Sequence, residues 1–359
     1  MKYANKIFIG EREISINSPT YFIADVASNH DGKIERANDL IKIAKDSGAD
    51  AVKFQHFLAS KIVSDYGFKN LKTVSSHQSK WDKSVYEIYQ EYECNREWTE
   101  QLYETAKQND IEFMTTPYDS EALAMIDKYV RAYKIGSGDI TWIDFIKTVA
   151  QKNKPIIIAT GAADIFDVER AVEAIIEHNP QIMLMQCNTN YTGSIENFKY
   201  VNLNVLKSFA VKYPNMVLGL SDHTPGHSAV LGSIALGARV VEKHFTDDNL
   251  KRGPDHAFSM NPQSWKAMMI AAKELEYALG DGIKRIEKNE EQTAIVQRRC
   301  LRLTKNLEKN SIIKEEDLEA LRPAPTHSID PYNLKNLIGK KLLVAKQSGD
   351  AIYYKDLEE

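Results

Sequence analysis

Two histidines, His223 in LSDHT and His244 in VEKHF, each close a short apolar run. If those runs are neighbouring parallel strands, the two imidazoles reach similar heights and can converge on one ion. Neutral imidazole suits borderline divalent metals, and carboxylates or water complete the shell of a manganese- or magnesium-like ion. Asp25 and Glu242 stand at matching strand ends. A lone histidine there reads as a loop hydrogen-bonder; two in register read as metal ligands.

Lys53 and Lys134 interrupt the apolar strands AVKFQ and AYKIGS. Lysine is rarely buried without a partner. At such a place it binds an anion as a point charge or forms a Schiff base. With Ser137, Gly138 and Ser221 nearby in the pattern, a phosphate and carboxylate cradle is favoured over lysines paired with acids across the fold. Asp25 and Asp139 are candidates for proton handling or for ordering water. Gln55, Thr115, Thr160 and Tyr191 complete a set of polar residues at strand ends, with Tyr191 either touching ligand or packing the rim. His30 divides evenly between a structural turn and a site role; His56, His77 and His178 read as loop or surface residues.

These residues need a frame that collects strand ends on one rim. Eight apolar runs (YFIADV, DAVKFQ, IEFMTT, AYKIGS, PIIIAT, QIMLMQC, MVLGLS and RVVEKHF) alternate with helical patterns such as DVERAVEAIIEH. That rhythm predicts a (β/α)8 TIM barrel over residues 1–280, with its chemistry at the C-terminal ends of the strands. An open doubly wound sheet would want a Gly-rich turn after the first strand, where ADVASNHDG stands. Residues 281–297 are charged and read as a linker. Residues 298–359 show short β-like runs and predict a small β-rich domain.

The 359 residues carry a net charge of −4, which gives no global attraction to nucleic acid or an anionic membrane. No apolar run approaches a membrane span, and MKYANKIFIGEREI carries charges where a signal peptide needs apolar residues. Cys94, Cys187 and Cys300 are widely spaced, which predicts reduced thiols in a cytoplasmic protein.

The motifs ADVASNHDG, AVKFQ, TTPYD, YKIGSGDIT, ATGA, GLSDHTPGH, VEKHFT and GPDHAFSMNP resemble the sialic acid synthase family, which includes N-acetylneuraminate, legionaminate and pseudaminate synthases. The tail RRCLRL…LRPAP…IGKKLLV is similar to that family's antifreeze-like (SAF) domain. The resemblance implies a metal-dependent condensation of phosphoenolpyruvate with N-acetylmannosamine or a related acylated amino-hexose, releasing phosphate by C–O cleavage. It implies His223 and His244 as ligands of Mn2+, or of Mg2+ or Co2+. Lys53, Gln55, Thr115, Lys134, Ser137 and Ser221 are implied as phosphoenolpyruvate contacts, and Tyr191 and Asp255 as facing the sugar. Glu242 matches a family carboxylate. Arg322 resembles an arginine that the small domain inserts into a partner's site, implying a domain-swapped homodimer.

Three departures stand out. The family usually has Glu where Asp25 and Asp139 stand, and each lost methylene retracts a carboxylate by about one bond length relative to a hydrogen-bond reach of roughly 2.6–3.2 Å. A Ser-Thr-Gly motif reads Ala159-Thr160-Gly161. The Gly-rich turn after the small domain's arginine reads APTHSIDP, where His327 can enter. For a phosphorylated sugar, Lys251 and Arg252 are the candidate cations. The rival chemistry is a Schiff-base aldolase or lyase using Lys134 or Lys53; a non-catalytic ice- or carbohydrate-binding protein has no need of so many strand-end charges.

Overall fold

A computed structural model describes residues 3–71, 78 and 81–358. His77 lies outside the described residues. Contacts divide the chain into two compact units, Met1–Gly280 and Asp281–Glu359.

The first unit opens with an antiparallel hairpin, β1 (Lys6–Ile9) and β2 (Arg12–Ser15), turned at Gly10, whose φ of 60° suits a residue without Cβ. Eight parallel strands follow among the described residues: β3 (Tyr21–Asp25), β4 (Ala51–His56), β5 (Glu112–Pro117), β6 (Tyr133–Ile135), β7 (Ile156–Ala159), β8 (Ile182–Cys187), β9 (Val217–Asp222) and β10 (Ala238–His244). Their hydrogen-bonded order is β5-β4-β3-β10-β9-β8-β7-β6. With β5 and β6 lying side by side, the ring is nearly closed. The fold is the expected eight-stranded α/β barrel.

Strands buried on both faces read as continuous apolar runs, which is why all eight were legible. The two faces serve different cores. Ala51, Met114, Ile157, Met183 and Val217 fill the barrel interior, joined by Ile7, Ile9 and Ile14 of the hairpin. Val52, Phe113, Ile158, Leu184 and Leu218 pack outward against the helices. The helix Ile34–Asp46 shows the complementary logic, burying Ala37, Leu40, Ile41 and Ala44 along one stripe. The hairpin, absent from the sequence-based expectation, seals the barrel at the strand starts.

The second unit has its own apolar core, which includes Leu301, Leu303, Ile313, Leu337, Leu342 and Ile352. An antiparallel pair, β11 (Cys300–Leu303) and β12 (Leu318–Leu321), runs through it. Residues 281–297, expected as a plain linker, include the exposed helix Glu291–Gln297. No helix among the described residues is long and apolar enough to cross a membrane.

Candidate active site

The interior faces of the strands end in a small polar chamber. Lys53, Gln55, Thr116, Lys134, Ser137, Cys187, Tyr191, Ser221, His223, Glu242, His244 and Asp25 line about 40 Å³ of space. It adjoins a wider mouth of about 220 Å³, where Phe57, Trp81, Tyr89, Tyr92, Tyr118 and Asp255 add aromatic walls and a carboxylate. Gln55, Ser137, Tyr191 and His244 border both spaces.

The chamber's charges form one buried chain. Lys53 Nζ donates to Asp25 Oδ2 at 2.8 Å and lies 3.6 Å from Glu242 Oε1. Lys134 Nζ donates to the same Glu242 oxygen at 3.1 Å. Gln55 Nε2 donates to Asp25 Oδ2 at 2.9 Å. Glu242 Oε2 is buried without a hydrogen-bond partner and is available to a bound molecule. The acid–lysine pairing, the less favoured option from sequence, is therefore what the structure contains. Two lysines 2–3 % exposed need nearby carboxylates to offset their desolvation. Burial pushes Asp25 up, but Lys53, His244 and the hydrogen bonds outweigh it and hold the carboxyl below its ordinary value. Burial likewise opposes the charge on Lys53, yet Asp25 and Glu242 hold its ammonium above the usual range.

His223 and His244 meet as expected. β9 and β10 pair with Asp222 opposite Lys243, so the following residues stand level. Their ring centroids are 5.3 Å apart, with planes inclined by 58°. His223 Nδ1 donates to the Asn188 carbonyl at 2.9 Å. His244 Nδ1 is a buried atom without a hydrogen-bond partner. His244 Nε2 lies 3.8 Å from Asp25 Oδ2, and Nδ1 lies 3.9 Å from Asp255 Oδ2. Two converging imidazoles with carboxylates just beyond them fit a borderline divalent ion held in an open site. Among the described residues no three or more His, Cys, Asp or Glu side chains form a ready-made metal cage.

Several expectations need correction. Thr115 does not line the chamber. It follows the inward-facing Met114 by one residue and faces the helix layer, donating to the Phe54 carbonyl and lying 2.6 Å from His56 Nδ1. Thr116 takes the inner place, 3.5 Å from Lys53 Nζ. Thr160 is displaced for the same reason: its hydroxyl donates to the Met185 carbonyl, and Ala159 lines the chamber instead. His56 is no surface residue; it is fully buried, and burial pushes its pKa down to about 3. His30 is buried too and accepts a bond from Gly32 N within its turn. Asp139 sits in the turn Ser137–Asp139 outside the chamber lining, with Oδ2 unpartnered and its pKa raised by burial to about 6. Arg322 is exposed in the second unit. Lys251 is engaged with Asp247.

Cys187 and Tyr118 escaped the sequence reading, as did Phe57, Trp81, Tyr89 and Tyr92 of the mouth. Cys187 closes the apolar run IMLMQC, which disguised it as core; it lines the chamber together with His223 and Ser137. Burial works to raise that thiol, but the nearby His223, Ser137 and Lys134 bring it below its ordinary value. Tyr118, within TTPYD, lies 3.5 Å from Gln55 Oε1 and borders both spaces. The odd-numbered positions of β8 were the available signal, since Met183, Met185 and Cys187 alternate inward.

Comparison with known proteins agrees with this fold. The NeuB family profile matches residues 40–284, and the SAF domain profile matches residues 298–358. An N,N'-diacetyllegionaminic acid synthase of Campylobacter jejuni is 35 % identical over 89 % of this chain and 95 % of its own length. A pseudaminic acid synthase of the same species is 32 % identical over 94 % of this chain and 96 % of its own. Among solved structures, the N-acetylneuraminic acid synthetase of Leptospira borgpetersenii superposes with a TM-score of 0.71 at 25 % identity, covering 80 % of this chain and 94 % of that one.

Proposed function

The chain belongs to the NeuB family, and on that premise we propose that it condenses phosphoenolpyruvate with an acylated amino-hexose. The products are a nine-carbon 2-keto sugar acid of the sialic-acid type and inorganic phosphate. One observation carries the reading: two buried lysines and two converging histidines share one small chamber at the strand ends.

Lys53 and Lys134, with Ser137, Ser221, Gln55 and Thr116, are suited to the phosphate and carboxylate of phosphoenolpyruvate. Charge stabilisation is strongest where water is excluded. A divalent ion, manganese or alternatively magnesium or cobalt, held by His223 and His244 would supply Lewis acidity toward the sugar aldehyde. The double-bond electrons of phosphoenolpyruvate form the new C–C bond from its methylene carbon to the aldehyde carbon, whose oxygen takes a proton. Water adds at the electron-poor carbon 2 and gives up a proton, which balances the one taken by the aldehyde oxygen, to a carboxylate, for which Asp25 is suited and Asp139 is the second candidate. Glu242 holds both lysines in position. Collapse of the carbon-2 hydroxyl to the ketone breaks the bond from carbon 2 to the bridging oxygen, and phosphate leaves with that oxygen and the hydroxyl proton.

Tyr191 and Asp255 are suited to the sugar, and Arg322 would reach the site of a partner subunit in a domain-swapped homodimer. The three free cysteines agree with a cytoplasmic enzyme. The alternative, an imine on Lys134 or Lys53, requires a neutral amine, and the carboxylates beside Lys53 favour its ammonium form.

Incubation with manganese, phosphoenolpyruvate and a panel of acylated amino-hexoses, following phosphate and product mass, tests the proposal. Equimolar phosphate and sugar acid with at least one acceptor is expected. Borohydride trapping of a keto substrate, together with indifference to chelators, would favour the imine reaction instead.

A further inference from the structure

Behind the chamber, on the faces of β9 and β10 turned away from it, lies a buried ion pair that the chemistry above does not use. Lys243 and Asp222 have side chains 2 % and 1 % exposed. Lys243 Nζ donates to Asp222 Oδ2 at 2.5 Å and to the Thr224 carbonyl at 2.7 Å. Asp222 in turn accepts from Thr224 N at 3.0 Å and from Thr224 Oγ1 at 2.9 Å. One ammonium therefore grips the residues immediately before and immediately after His223. The same lysine immediately precedes His244.

Alternation along the strands explains the arrangement. Ser221 and His223 face the chamber, so Asp222 between them faces away; Glu242 and His244 face it, so Lys243 faces away. The pair directly opposes across the ladder, Lys243 to Asp222. A buried ion pair is weak evidence for stability, because desolvation offsets most of its attraction; its better-attested use is to fix a register. Here the register fixed is that of two imidazoles whose separation must hold to a fraction of an ångström for both to reach one ion.

We propose that Lys243 and Asp222 are positioning residues, an ionic clamp that sets the His223–His244 separation and so tunes the affinity of the site for its divalent ion. The clamp touches no substrate. This inference rests on the metal reading of the two histidines.

The test uses Asp222→Asn, Lys243→Met and the double variant in the full-length protein. Mn2+ affinity is read from the free-ion electron paramagnetic resonance signal, phosphoenolpyruvate affinity by calorimetry, and stability by thermal melting. Single variants leave one buried group unpaired and melt earlier. The double variant removes both charges and regains much of that stability. The clamp predicts that Mn2+ affinity in the double variant nevertheless stays at least tenfold below wild type, while phosphoenolpyruvate affinity changes less than twofold. Recovery of Mn2+ affinity in step with the melting temperature would reduce the pair to a packing element and overturn the inference. If wild type itself binds no Mn2+, the metal reading fails. The crystal structure of the double variant then decides the clamp alone: a changed His223–His244 separation supports it, and an unchanged one overturns it.

Discussion

Thr115 and Thr116 carry the same side chain on opposite faces of β5, Thr116 beside Lys53 and Thr115 against His56 behind the wall. Collecting polar residues at strand ends found the right rim but not the right side of it, because a single step along a strand reverses its face. The same step separates Ala159 from Thr160. Thr116→Val should raise the phosphoenolpyruvate KM several-fold with little change in melting. Thr115→Val should leave KM alone and cost about 1–3 kcal/mol of stability by depriving buried His56 of a partner. Kinetics and melting of both variants check the assignment; the reverse pattern would contradict it. Asp139 gives a pH signature. Burial raises its carboxyl from 3.8 to about 6, so the native state favours the protonated form. Its contribution to stability is present below the ordinary value and is lost as pH rises through about 6. If it accepts a proton in turnover, kcat should climb as pH rises through that same range, and Asp139→Asn should flatten the climb. An unchanged acid limb in the variant would remove Asp139 from proton transfer.

At the scale of elements, the eight barrel strands were readable because burial on both faces leaves runs such as IMLMQC and VLGLSD almost free of charge. The histidine pair and both lysines were readable for a related reason: a polar residue closing or interrupting such a run needs an explanation. What the runs hid was the partner of each charge. Asp25, Glu242 and Lys53 come from three separate strands, and only register brings them together. The N-terminal hairpin was hidden because exposed Phe8 stands between buried Ile7 and Ile9, so the burial alternates as in a half-buried ribbon while the hydrophobicity of KIFI does not. Because Ile14 fills the barrel far from the rim chemistry, Ile14→Ala should cost about 2–5 kcal/mol of stability. Denaturant unfolding and steady-state kinetics of that variant should show a lower midpoint and unchanged KM values. A changed sugar KM would mean that the hairpin reaches the site.

For the whole molecule, the division at residue 280 places Arg322 in a different compact unit from the catalytic chamber. The proposed cross-subunit role therefore makes activity a property of the assembly. Arg322→Ala and His223→Ala proteins, each impaired alone, should complement when unfolded together and refolded as mixed dimers. Random pairing would restore about a quarter of wild-type sites, since half the dimers are mixed and each holds one intact site. Sedimentation and assays at limiting sugar measure this, and no recovery in confirmed mixed dimers would contradict the role of Arg322.

The reaction itself is tested most directly by phosphoenolpyruvate carrying 18O in the oxygen that bridges carbon 2 and phosphorus, supplied with manganese and an accepted amino-hexose. Attack of water at carbon 2 and loss of phosphate by C–O cleavage predict the label wholly in inorganic phosphate, with the sugar acid unlabelled. Label retained in the sugar acid, or a sugar acid formed without phosphate, would contradict the account.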